Sequence, residues 1–259
     1  MTKASCSWSV LGGLCLTVAV AVGTAQAEDG SALNILKTMT EYVSKQGSLS
    51  VKYDSDVEVV SPSLQKIQFS ASGEVSLSRP DKFRATRTGG YADVEIISDG
   101  STVTVHDRDA KRFAQIAAAA DFDKLVEKLR TDSILEIPGA DLLASNAFEA
   151  LSSEVLESKV VGSGIVDGVL CDHLAFRNAE TDWQIWIESG ERPLPRKYVI
   201  TSKTFVTAPQ YSLRLRDWKA GDVGGKAFEF APPSGSTRVE IATLRIDEIP
   251  ANSHLGAQK

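Results

Sequence analysis

Residues 182–198 read Asp-Trp-Gln-Ile-Trp-Ile-Glu-Ser-Gly-Glu-Arg-Pro-Leu-Pro-Arg-Lys-Tyr, and they decide the fold class. Alternation over 183–188 puts Trp183, Ile185 and Ile187 on one side of a strand. Gln184, Trp186 and Glu188 take the other side. Ser189-Gly190-Glu191 then reads as a turn, and a second strand begins at Arg196 and Lys197. Pro193 and Pro195 cannot donate to a ladder, so this part of the hairpin is expected at an edge or rim. Bulky apolar groups on both faces imply that both are covered, or that one is a binding surface.

Working outward, the same period of two recurs along most of the chain. Upstream strands are expected at 48–60, 64–78, 82–88, 91–98, 101–107 and 112–116, punctuated by Ser61-Pro62-Ser63, Arg79-Pro80-Asp81, Gly89-Gly90 and Asp99-Gly100. Others are expected at 154–162, 169–177, 196–206 and 210–219, with a short β-like piece at 237–247. Several have one polar face. Phe83 and Ala85 alternate with Lys82 and Arg84, and Val103 and Val105 with Thr102 and Thr104. Leu170, Leu174 and Phe176 lie opposite Cys171, His173 and Arg177. Trp218 is in phase with Ser212, Arg214 and Arg216, a large aromatic among polar neighbours. Val161-Gly162-Ser163-Gly164, followed by Asp167-Gly168, reads as a loop.

Two stretches have helical period instead. In the first, Leu33, Leu36, Met39 and Val43 share one side, Asp29 or Ser31 is placed to cap, and Gly47 ends the pattern. In the second, over 121–130, Asp121 is the cap and Phe122, Leu125, Val126 and Leu129 form the apolar stripe. A further helical piece is expected from Pro138 to Leu143. Helix, meander, helical insert, meander is the order of an α+β, mainly antiparallel domain whose helices lie on one sheet face. No linker divides it, so residues 28–259 are expected to form a single domain.

The N-terminus carries an address. Lys3 is followed by an apolar or small run from Val10 to Val22 and by Ala25-Gln26-Ala27, the pattern of a secretory signal peptide cut after Ala27. The run is shorter than the ~20 apolar residues of a membrane span. Leu14, before Cys15, is too large for lipoprotein processing. Cleavage would remove Lys3 and leave 27 basic against 34 acidic side chains, net −7, which argues against a nucleic-acid partner. Of three cysteines only Cys171 would remain, so the domain is expected to hold together through its core, without a disulfide.

Chemistry-bearing residues are sparse. His254 falls in the C-terminal tail, and His106 sits beside Asp107 at a hairpin end. Cys171 and His173 share a strand face, but such neighbours stand ~7 Å apart, too far for a direct thiol–imidazole bond. They lack an orienting third group, and no metal-ligand spacing accompanies them. No catalytic residue, metal or cofactor is therefore assigned. The alternative of a hydrolase built on Cys171 and His173 stays as a third reading.

At 171–177 (Cys-Asp-His-Leu-Ala-Phe-Arg), 182–203, 209–211 (Pro-Gln-Tyr) and 228–233 (Phe-Glu-Phe-Ala-Pro-Pro) the chain resembles a family of predicted periplasmic proteins of unknown function. Residues 79–86 and 98–115 match the same pattern. That family is grouped with the periplasmic lipoprotein carrier (LolA-like), its outer-membrane receptor and lipoprotein-sensing regulators. The resemblance implies an unclosed, curved antiparallel half barrel with helices across the concave face, and an apolar cavity of acyl-chain type beneath them. Joined to the alternation, it makes Phe83, Leu125, Leu129, Leu174, Phe176, Trp183, Ile185 and Ile187 the expected lining of a hydrophobic-ligand site. The partner is then a lipid or lipoprotein acyl chain, with a carrier or sensor role. The rival reading is an interaction module with a filled core, in which Trp186, Arg196, Arg214 and Arg216 form a rim that docks an envelope protein.

Overall fold

A computed structural model describes residues 29–131, 139–244, 246 and 249. Helix α1 (Asp29–Ser44) leads into β1 (Ser48–Val60), β2 (Lys66–Ser78), β3 (Lys82–Gly89), β4 (Asp93–Asp99), β5 (Thr102–Asp107) and β6 (Arg112–Ala117). Helix α2 (Phe122–Thr131), a 3-10 turn at Ala140–Leu142 and helix α3 (Ala147–Ser152) follow. Then come β7 (Glu157–Val166), β8 (Val169–Arg177), β9 (Thr181–Glu188), β10 (Pro195–Ser202), β11 (Gln210–Ala220) and the two-residue β12 (Thr237–Arg238). The expected helical start at Pro138 lies outside the described residues, as do the signal segment and His254. Ser31 lies inside α1 rather than capping it.

Among the described residues, all strands belong to one unclosed sheet of twelve, in the order β12-β6-β5-β4-β3-β2-β1-β11-β10-β9-β8-β7. Two antiparallel meanders meet where β1 pairs with β11. The helical insert between β6 and β7 carries the chain from one end of the sheet to the other. Only β12, beside β6, runs parallel.

Curvature is written into particular residues. Gly73 lies opposite Tyr53, and a Cβ there would meet the Thr86 carbonyl at 1.9 Å and the tyrosine ring at 2.7 Å. Only glycine lets that ring cross β2, where its hydroxyl donates to the Thr86 carbonyl at 2.9 Å. Between β1 and β11 the register slips, with Asp217 at φ +54. The extra residue turns Trp218 onto the inner face, against the core, with its indole N–H on the Pro195 carbonyl at 3.0 Å. Sequence alternation had placed it among the arginines; the bulge reverses that.

Three other expectations change. β7 runs through Val161–Gly164, and the turn is Asp167-Gly168, both at positive φ. The prolines mark no edge: β10 lies between β9 and β11, and Pro195 is its first residue, where no ladder donor is missed. Nor is the outer face of β4 and β5 wet. Glu95, Thr104 and His106 are buried there because the C-terminal segment crosses over them, with Phe228 buried and Phe230 on the rings of His106 and Phe113 at 5.4 and 5.2 Å. That segment runs round the sheet edge through β12. It reaches the inner side, where Ile246 joins the core and its carbonyl accepts from Arg87. Of the β-like piece expected at 237–247, only Thr237–Arg238 is strand; Ile241–Thr243 is a 3-10 turn.

Candidate functional site

The inner face presents one continuous apolar layer. β3 supplies Phe83, β8 supplies Leu174 and Phe176, and β9 supplies Trp183, Ile185 and Ile187; all are buried. Register aligns them across strands, Phe176 opposite Trp183 and Leu174 opposite Ile185. The Phe176 and Trp183 rings stack at 3.9 Å, and Tyr198 meets Trp183 edge-on at 5.7 Å. The indole N–H is satisfied by Asn178 Oδ1 at 3.1 Å.

α2 joins the same core beside β3. Asp121 caps it, accepting from the Lys124 N–H at 2.8 Å, and its stripe turns Phe122, Leu125 and Leu129 inward. The Phe122 ring lies 5.6 Å from Phe83. The residues expected to line a site therefore fall in one buried core, together with Leu36 and Met39 of α1. Tyr198 and Leu213 belong to it as well. Alternation of β10 and β11 contained that signal, but the polar residues in both strands drew the reading outward. Leu170 departs from its phase-mates: it is exposed at the sheet end, while Cys171 is buried.

Polar ties also run to and within this segment. The Phe122 N–H donates to Pro80 O at 2.8 Å, Arg79 Nη2 to Leu143 O at 2.7 Å, and the Ser145 N–H to Asp123 at 3.0 Å. Buried Tyr198 sits below, its hydroxyl pKa driven up by burial and then by Asp141.

The proposed rim is a strip on the outer face. His173 stacks on Trp186 at 4.1 Å, and Lys197 Nζ lies 4.7 Å from the indole centroid on its cross-strand partner. Burial, then Arg214, lowers the Lys197 pKa. Arg196 is held by Glu188, Arg216 by Asp54, and Arg214 by Asp167 at 3.6 Å. Asp167 belongs to the β7–β8 turn, while β8 and β11 stand about 14 Å apart in sheet order at ~4.8 Å per strand. The hairpin tip must therefore fold back over the outer face. Gly164 permits this, since a Cβ there would lie 3.1 Å from Trp186 Nε1.

Cys171 and His173 do not meet. The imidazole Nε2 shares a hydrogen bond with Gln184 at 2.9 Å, and the thiol donates to Val169 O at 3.4 Å. Burial pushes the thiol pKa up, against the opposing pull of Arg196. A shallow groove of about 570 Å³ runs beside His173, lined by Lys159, Arg177, Asp182 and Gln184. Its Arg177 is neutralised by Glu157 at 3.0 Å and Asp182 at 3.4 Å. Among the described residues no group of acidic, histidine or cysteine side chains has the arrangement to hold a metal. No helix there is long and apolar enough to cross a membrane.

The chain is similar in course to several solved structures. LprF from Mycobacterium bovis is 11% identical, with 82% of this chain and 100% of that one covered and a TM-score of 0.49. The lipoprotein LppX from Mycobacterium tuberculosis is 14% identical, covering 76% and 100%, at 0.47. A LolA superfamily protein from Nitrosomonas europaea is 11% identical, covering 77% and 97%, at 0.31. At such divergence they fix neither a ligand nor the role of any residue. No curated protein matches the sequence. A family model described as a predicted periplasmic protein, DUF2092, matches residues 32–242, and the chain belongs to that family.

Proposed function

We propose that this member of the DUF2092 family is exported through a cleaved signal peptide and binds a hydrophobic, acyl-type ligand between its sheet and α2, as a carrier or sensor without catalysis. The observation that carries this reading is the construction of the inner layer. A wide apolar sheet face is covered by short amphipathic helices, α1 and α2, whose apolar stripes join its core. A cover of that kind separates from the sheet at lower cost than a second sheet would, because side-chain packing rather than a backbone ladder joins them. Phe83, Leu174, Phe176, Trp183, Ile185 and Ile187 form the floor, and Leu125 and Leu129 the roof.

A second reading is favoured by the tight burial of that same layer. If the helix never lifts, the domain is an interaction module with a filled core, and the outer strip around Trp186, Arg196, Arg214 and Arg216 contacts an envelope protein. Uptake of a fluorescent fatty acid separates the two. The carrier reading expects saturable uptake that Leu125→Asp abolishes while leaving strand content intact; no uptake by the wild type leaves the module.

A further inference from the structure

We propose that the sheet end formed by the β1–β2 turn and the β10–β11 loop is a contact site for a lipid bilayer surface. This goes beyond the ligand layer and does not depend on it. Three large apolar side chains are left in water there: Leu64 (64% exposed), Phe205 (46%) and Val206 (98%). Leu64 and Phe205 line a groove of about 390 Å³ whose walls also include Val57, Glu58, Val59 and Pro209.

The backbone makes this arrangement costly to keep. The Leu64 N–H closes a turn on Ser61 O at 2.9 Å, and Leu64 then stands at φ +64, the left-handed position that glycine or asparagine fills in such hairpins. Opposite it, the Ala208 N–H donates to Phe205 O at 2.9 Å, a turn that lifts Val206 to the tip. A strained leucine held in solvent is a feature to explain by function rather than folding.

Charge and size select the occupant. The chain carries net −6, yet 61–66 and 201–210 contain no acidic residue and include Lys66 and Lys203. Of the nearby carboxylates, Glu58 is held by Lys66 at 3.0 Å and by the Gln210 N–H at 2.9 Å, and Asp182 by Lys203 at 3.2 Å, while exposed Glu180 lies beside the loop, its carbonyl accepting from the Lys203 N–H. The two turns themselves bring no carboxylate of their own toward anionic headgroups. A stable protein interface takes about 20–30 residues a side, whereas this end projects two short turns. Projecting apolar tips do suit the headgroup–acyl boundary, ~5–10 Å deep.

The test is flotation of the periplasm-purified protein with phosphatidylethanolamine vesicles containing about one quarter phosphatidylglycerol. Wild type is expected to float. Leu64→Asn, Phe205→Ser and Val206→Ser should each reduce the bound fraction, and together by about tenfold or more. Asparagine tolerates the left-handed backbone, so Leu64→Asn keeps the fold, which thermal unfolding checks. Wild type that stays unbound, or a triple variant that floats equally well, overturns the proposal. So does a dimer that is lost in the same variants without vesicle binding. Leu125→Asp should float like wild type, so a failed ligand layer and a failed membrane contact give different patterns.

Discussion

On the outer face Gly164 leaves the room that Trp186 occupies. A valine at 164 would place its Cβ 3.1 Å from the indole nitrogen and push Trp186 off His173. Gly164→Val is expected to destabilise by about 1–3 kcal/mol, as overpacking does, and to alter the near-ultraviolet dichroism of tryptophan. Asp99 gives a pH-dependent prediction. Its carboxylate accepts from the Thr102 and Ser101 N–H groups and from the Ser101 hydroxyl, each at 2.8 Å, and these bonds hold its pKa below the usual 3.8. A lowered carboxyl pKa stabilises the fold above the unfolded value and loses that contribution as pH falls through the folded one. Asp99→Ala should therefore cost under about 1 kcal/mol at neutral pH, the group being exposed, and nothing in strong acid. Paired urea titrations at the two pH values measure it; an equal cost at both would contradict the assignment. Trp218 marks where residue-level reading stopped. Its switch of face depends on a positive φ at Asp217, and an aspartate announces no bulge.

Strands were legible because alternation and turn dipeptides agree, so β1 and β8 fall where the period of two placed them. β7 was misread because two glycines look like a loop when nothing in one strand's sequence reveals a tryptophan facing Gly164 from another. The C-terminal strap was illegible for a related reason. Pro232-Pro233 and the glycines around it say only that the segment is irregular, and the alternation of β5 gives no sign that its polar face is roofed. The strap blunts the free edge at β6 and seals the Arg84–Glu95–His106 cluster, in which Arg84 Nε donates to Glu95 at 2.9 Å and Arg84 Nη1 to Ala227 O at 3.1 Å. Phe228→Ala is expected to cost about 3–5 kcal/mol, the usual range for a buried phenylalanine. Hydrogen exchange should quicken first in β3 and β4, on which the Gly225–Phe228 turn packs, with β8 and β9 little changed. Uniform acceleration would mean that the strap is not a local clamp.

For the molecule as a whole, the apolar layer was legible and its cover only half so. The buried face follows from strand parity, and the buried stripe of α2 from its helical period. Opening between them, which the proposed ligand requires, depends on the free energy separating open from closed, which neither parity nor burial encodes. The acid-free apolar tip and the inner layer would give the protein two places to meet lipid, one for the bilayer and one for a single chain. The account rests chiefly on the second. Native mass spectrometry of the protein purified from its own periplasm tests it most directly. The account predicts a population carrying the added mass of one lipid-like molecule, absent from Leu125→Asp purified in the same way. A wild-type protein found only at its bare mass, and still bare after incubation with long-chain fatty acid, would contradict it.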